Sequence, residues 1–239
     1  MSLNIPQEYR YNQCIKSYPN GLTKVITWNY NIYSSVKQPV NRNKRINVNG
    51  DNVRSDSLKR ARDKVFDICY LNDFNYFVTF TLDKTKISRV DVEDIKIKLK
   101  NWLKNNVKRN NLKYVIVPEY HSDGESIHFH GLISGDLIFT DSGKKTVKGQ
   151  TIFNLDNWKF GFTTAIPVYG SKGALVNYIC KYITKDSKMI FGNYYYAGGG
   201  IVRDPVKTYD YVDYASAQGR EYNVFGNSRV KYYDFKVGE

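Results

Sequence analysis

Ser126-Ile-His-Phe-His-Gly-Leu-Ile133 is the stretch whose reading decides the fold. Apolar residues alternate with two of the chain's three histidines, the pattern of a strand with one face in a core. Successive side chains of a strand point to opposite faces, so positions two apart share one. His128 and His130 therefore project together, while Phe129 points the other way into the core. Two imidazoles side by side on a rigid strand supply part of a divalent-metal site.

Working back towards the N-terminus, Lys113-Tyr-Val-Ile-Val117 reads as a second strand, and Ser122-Asp-Gly-Glu125 reads as the turn between the two. With those four residues in the turn, His121 pairs with Ser126 and Glu119 pairs with His128. Two residues then compete for the place of third ligand. Glu119 stands directly across from the histidine pair, and His121 lies one step nearer the turn. Register can slip with loop length, and Glu119 is the favoured of the two. A carboxylate with two imidazoles suits Mg²⁺ or Mn²⁺ and leaves positions open for a substrate oxygen.

Working forward, Phe162–Val168 reads as another strand, and Ser171 opens a helix that carries Tyr178-Ile-Cys-Lys-Tyr182. At about 100° per residue, with Leu175 at zero, Val176, Ile179 and Ile183 fall between roughly 40° and 100°. Tyr178, Lys181, Tyr182 and Lys185 fall between roughly 240° and 340°. One sector is apolar and its neighbour holds only tyrosine and lysine. A free tyrosine has a pKa near 10 and is a poor nucleophile at neutral pH; lysine charge nearby favours the phenolate. A pair of such oxygens beside a metal site suggests transfer of a phosphodiester to tyrosine.

Farther out, Ser57 is a candidate cap for a helix with Leu58, Ala61, Val65 and Ile68 on its buried stripe. Tyr76-Phe-Val-Thr-Phe-Thr-Leu82 is a strand, and Asp91 caps a long helix with Val92, Ile95, Leu99 and Trp102 on one face. Residues 136–157 read as a looser segment. Residues 22–33 read as a strand, and Asn41-Arg-Asn-Lys-Arg45 through Asn52 as a solvated loop that could also touch DNA. One domain over 56–239, with residues 1–55 as an extension packed on it, is the expected organisation.

Composition bounds the partners. The 239 residues carry 36 Lys and Arg against 23 Asp and Glu, a net +13, and 15% of them are aromatic, including 21 tyrosines. Basic surface interleaved with stacking side chains is how single-stranded nucleic acid is commonly held. Three cysteines, Cys14, Cys69 and Cys180, with no C-x-x-C spacing, support neither a disulfide framework nor a zinc knuckle. The first residues lack the apolar run of a signal peptide, and no stretch approaches a membrane span, so a soluble, cytoplasmic protein is expected. No phosphate-binding G-x-x-x-x-G-K-[ST] loop is present.

Three stretches, in order, resemble the HUH endonucleases, and within them the rolling-circle replication initiators of bacterial plasmids and small single-stranded DNA phages. Phe77-Val-Thr-Phe-Thr-Leu82 looks like the first motif, a strand beside the active site. His128-Phe-His130 looks like the histidine–hydrophobic–histidine motif, with Glu119 where the family often has a metal-ligating Glu or Gln. Tyr178-Ile-Cys-Lys-Tyr-Ile-Thr-Lys185 looks like the two-tyrosine form of the third. The resemblance covers roughly residues 57 to 200. It implies an α+β fold, a central antiparallel sheet flanked by helices (the ferredoxin-like core that RRM domains share). It also implies Tyr178 and Tyr182 as nucleophiles aided by Lys181 and Lys185, with Mg²⁺ or Mn²⁺ on His128, His130 and Glu119. The implied substrate is single-stranded origin DNA, presented in a hairpin, in a bacterial host whose helicase and polymerase complete replication. A transposase, a mobilisation relaxase or a non-catalytic DNA-binding module are the alternatives.

Overall fold

A computed structural model describes residues 9–19, 21–34, 55–183, 189–210, 220–224 and 228–234. The chain forms two compact units, and the grouping is discontinuous in sequence. Met1–Asn52 goes with Asp204–Glu239, and Val53–Arg203 forms the other.

The first unit is built on β1 (Tyr9–Ser17), β2 (Leu22–Ser34), β10 (Val206–Asp210), β11 (Arg220–Val224) and β12 (Ser228–Asp234). They make one antiparallel sheet in the order β10-β1-β2-β12-β11. The extension read from residues 1–55 thus shares its sheet with the C-terminal residues, which sequence patterning had assigned to the other domain. Such pairings span nearly the whole chain and leave no local signature. The basic loop at 41–52 lies outside the described residues.

The second unit holds the histidine strand. Its elements are α1 (Ser55–Leu71), β3 (Tyr76–Leu82), α2 (Val92–Asn110), β4 (Lys113–Tyr120), β5 (Ile127–Ser134), β6 (Phe139–Lys145), β7 (Thr151–Leu155), β8 (Gly161–Pro167), α3 (Lys172–Cys180) and β9 (Tyr196–Gly198). Seven strands form one antiparallel sheet, β6-β7-β8-β3-β5-β4-β9, flanked by three helices, which is the expected α+β class. Aromatic and β-branched residues fill β3, and each of β3 and β5 is paired on both sides, which suits a half-buried pleated surface.

Alternation sorts the side chains into two cores. On one face Val78, Phe80, Ile116, Ile127, Phe129 and Ile133 pack with Ile95, Leu99 and Trp102 of α2. On the other, Phe77, Val115, Val117 and Leu132 pack with Leu58, Ala61, Val65 and Ile68 of α1 and with Val176 and Ile179 of α3. The four-residue stripe read for α1 is the buried one. Phe129 is fully buried, so its neighbours His128 and His130 must face the α1/α3 side.

The caps follow ordinary chemistry. Asp91 accepts from the Asp94 N–H (3.0 Å), and Ser171 accepts from the Ala174 N–H (3.3 Å), each satisfying a donor that the helix leaves free. Ser57, expected to cap α1, instead lies inside its first turn, because the helix begins at Ser55; its hydroxyl faces the Tyr194 hydroxyl at 3.3 Å. The looser segment also contains β6 and β7. Their residues are largely exposed, and the register shifts between Asp141 and Lys144. Bulged, polar edge strands of this kind carry little apolar alternation to read.

Candidate metal centre and tyrosine pair

The β4–β5 hairpin sets the site. Asp123 organises its turn by accepting from the N–H groups of Glu125 (3.0 Å) and Ser126 (2.9 Å), and Gly124 supplies the positive φ of 74°. Those bonds to the carboxylate hold the Asp123 pKa far below the usual range. The His121 N–H donates to the Ser126 carbonyl (2.7 Å), and Glu119 stands directly opposite His128, the register counted from the sequence.

Three ligand atoms converge as a result. His128 Nε2 lies 2.9 Å from His130 Nε2, and Glu119 Oε2 lies 3.1 Å from the first and 3.0 Å from the second. Glu119, His128 and His130 form a cluster able to hold a metal ion. His121 is not part of it. Its ring centre is 5.4 Å from that of His128, and its Nδ1 faces the Ser122 hydroxyl at 3.1 Å.

A partner that the sequence reading missed orients the cluster. Thr79 is directly opposite His130 on β3, and its hydroxyl is 3.2 Å from His130 Nδ1. A hydroxyl accepting from Nδ1–H fixes the tautomer that leaves the Nε2 lone pair facing the cluster. The signal was available: Thr79 is two residues from Phe77 in a strand already assigned to the site, and so shares its face.

The electrostatics follow from burial. A carboxylate 3.0 Å away would favour imidazolium, but desolvation, His128 and Lys181 dominate, and His130 is pushed down to about 3. His128 is lowered chiefly by burial, then by His121 and Arg89. Glu119 is raised, because burial outweighs the opposing effects of Lys181 and His121. Both imidazoles are therefore neutral at neutral pH, the protonation state in which a histidine can ligate.

A stability consequence can be measured. An imidazole with a folded pKa below its unfolded value binds fewer protons folded than unfolded, so stability rises with pH across that window. For His130 the window runs from about 3 up to 6.5, and stability drains away as pH falls through it. Glu119, with its raised pKa, acts in the opposite sense at the acid end. Urea unfolding of metal-free protein should show lower stability at pH 5 than at pH 7, with a shallower dependence in His130→Gln. An unchanged slope in the variant would remove His130 as the cause.

The tyrosines come from α3 and the turn after it. The helix ends at Cys180, earlier than the sequence periodicity suggested, so Tyr182 lies beyond it. The Tyr182 N–H donates to the Ile179 carbonyl (3.3 Å), and the Ile183 N–H to the Cys180 carbonyl (3.1 Å). These i→i+3 bonds tighten the last turn, so a projection at about 100° per residue fails for Tyr182.

The Tyr182 ring stacks on His130, with centroids 3.6 Å apart and planes 12° from parallel. Tyr178 is exposed and meets Tyr182 edge-on at 5.8 Å, while Phe77 packs beneath both. The Lys181 ammonium lies 3.9 Å from the Tyr178 ring centre and 4.7 Å from that of Tyr182. Burial, a hydrogen bond with Tyr178 and the Glu119 charge all raise the Tyr182 pKa. Lys185 lies outside the described residues. The side chains expected from sequence thus come together at one end of the sheet, Lys185 excepted. A pocket of about 440 Å³ lined by Arg60, Arg203 and Tyr194 to Tyr196 shares none of them.

Fold and site define a class: an antiparallel α+β sheet with two imidazoles and a carboxylate clustered on one face beside a tyrosine pair. Residues 75–187, which hold all of these side chains, match a family model described as replication-associated protein of the ORF2 type, and over that segment the chain belongs to this replication-associated family. The match supports a replication initiator of the Rep type. No curated protein and no solved structure matches the chain. Among the described residues, no helix is long and apolar enough to cross a membrane.

Proposed function

We propose that the chain is a metal-dependent endonuclease and strand transferase of the HUH type, which starts and ends rolling-circle replication on single-stranded origin DNA. The observation that carries this reading is the stacking of Tyr182 on His130, which places a phenol and its exposed neighbour Tyr178 against three converging ligand atoms.

The donor set fits a hard divalent cation. Ligands about 2.1 Å from a shared centre and at right angles to one another stand about 3.0 Å apart, against about 3.4 Å for tetrahedral directions. The 2.9, 3.0 and 3.1 Å separations follow the first spacing, which favours Mg²⁺ or Mn²⁺ over Zn²⁺. When bound, the cation would neutralise charge on the scissile phosphate as a Lewis acid.

The protein's own groups do the rest. A tyrosine oxygen attacks phosphorus and gives up its proton. The bond from phosphorus to the 3′ oxygen breaks, and that oxygen leaves as a hydroxyl. The product is a 5′-phosphotyrosine ester and a primer end for polymerase. After one round the second tyrosine repeats the exchange at the regenerated origin, and the released 3′-hydroxyl attacks the first ester, restoring its phenol and closing a circle. Each step trades one phosphodiester for another, so no nucleotide hydrolysis is required. Lys181, above both rings, is placed to steady phenolate or phosphate; the same role is proposed for Lys185. Strand separation and extension fall to the host helicase and polymerase in a bacterial cytoplasm.

The test is attachment. Incubation with labelled single-stranded DNA carrying an origin hairpin and Mn²⁺ should yield a covalent adduct that survives denaturing gels and maps to Tyr178 or Tyr182. Free cleaved ends with no adduct would overturn the mechanism. Binding itself should weaken with salt, given the net charge of +13. Each phosphate neutralised should contribute about 0.7 log units of affinity per tenfold change in salt. A salt-independent affinity would mean that the basic residues make no phosphate contacts.

A further inference from the structure

One aromatic side chain on the site's own face is unused by the chemistry above. Phe162, Thr81, His128 and Glu119 are successive partners across β8, β3, β5 and β4, so they form a single row on one face of the sheet. Strands lie about 4.8 Å apart, which places Phe162 about 10 Å from His128 along that row. Its neighbour Thr163 and the next residue but one, Ala165, face the opposite side and are buried, whereas Phe162 is 64% exposed. Thr164 lies beside it on the same face, also exposed, and Thr79 and Thr81 complete a low polar floor between Phe162 and the histidines.

A single exposed apolar residue is ordinary, and exposure alone would carry nothing. Ile97 on α2 and Ile138 before β6 are exposed too, yet neither belongs to this row. Position is what separates Phe162 from them, because a strand delivering its phosphate to the cluster must cross this floor. Arg89 stands at the same end of the sheet. Its carbonyl accepts from the Ile127 N–H (2.8 Å), one residue before His128. Its Nε is buried and has no hydrogen-bond partner among the described residues, which leaves a donor available to an anion.

We propose that Phe162 is a stacking platform for a nucleobase next to the scissile phosphate, and that Arg89 holds a phosphate of the same strand. This rests on the single-stranded substrate of the proposed function. An aromatic ring on a sheet face accepts any base by its π-face, so the platform would position the strand without reading its sequence.

Binding of a labelled thymidine oligonucleotide of about 20 residues, measured by anisotropy in EDTA so that nothing is cleaved, tests it. Phe162→Ala should weaken binding by about 5-fold to 100-fold and leave the salt slope unchanged. Phe162→Trp should keep the affinity, and the added indole emission should be quenched by the oligonucleotide. Arg89→Gln should lower the salt slope by about 0.7. Equal affinity in Phe162→Ala, or an indole that the oligonucleotide fails to quench, overturns the platform; an unchanged slope in Arg89→Gln overturns the phosphate contact. Adduct formation by the wild-type chain is a separate readout. An adduct with no Phe162 effect keeps the endonuclease and loses the platform, and a Phe162 effect with no adduct does the reverse.

Discussion

His128→Ala and His130→Ala should each abolish Mn²⁺-dependent attachment to DNA while leaving the chain folded. Each substitution removes one of three converging donors, and the remaining pair cannot hold a divalent cation against water. Calorimetric titration with Mn²⁺ should show affinity falling by more than about 100-fold, the upper end of what loss of an outer partner costs. Glu119→Ala should behave similarly, since Glu119 Oε2 lies within 3.1 Å of both imidazoles. His121→Ala should change affinity little, because that ring faces Ser122 from outside the cluster. Thr79→Val separates orientation from ligation: it keeps all three donors and removes the hydroxyl beside His130 Nδ1, so a loss of about 10-fold to 100-fold is expected. A larger loss from His121→Ala than from Glu119→Ala would mean that the hairpin pairs in another register in solution. Circular dichroism of each variant distinguishes a lost ligand from a lost fold.

Much of the site-bearing sheet was legible because its signals are local. The alternation of Ile127, His128, Phe129 and His130 assigns faces with no knowledge of the partners, and the four-residue turn fixes Glu119 opposite His128 by counting alone. The caps at Asp91 and Ser171 are equally local. What stayed hidden depends on distant chain or on weak patterning. In β6, Asp141, Ser142, Gly143 and two lysines replace the apolar residues that mark a strand, since an edge strand with a bulge has little to bury. The pairings of β1 with β10 and of β2 with β12 join opposite ends of the sequence. The end of α3 was overrun for a different reason. Tyr182 and Ile183 continue the helical periodicity, and no glycine or proline stops it after Cys180. That overrun matters for function, because it is the tightened turn that brings Tyr182 over His130 instead of leaving it beside Tyr178 on the helix surface.

The tyrosine variants should give the clearest separation of chemistry from packing. Tyr178→Phe with Tyr182→Phe should form no covalent adduct, while DNA and Mn²⁺ still bind. Phenylalanine keeps the ring that stacks on His130 and the edge contact with Phe77, and removes only the oxygen. Each single variant should retain part of the activity. The rings are 5.8 Å apart, so a modest shift of the strand brings the scissile phosphate within reach of either hydroxyl. The two need not be equal. Tyr178 is exposed, whereas Tyr182 is half-buried with its pKa raised by burial and by Tyr178, so loss of one hydroxyl alters the setting of the other. A pair that only packs predicts another outcome: the phenylalanine variants would melt lower and attach to DNA as well as the parent does. A third result is a single variant that is inactive beside one that both cleaves and rejoins fully. That would leave a one-tyrosine enzyme, in which the second ring merely lines the site, and would move the chemistry towards that of single-tyrosine transposases and relaxases. Adduct gels on the four proteins, with rejoining measured separately from cleavage, decide among the three.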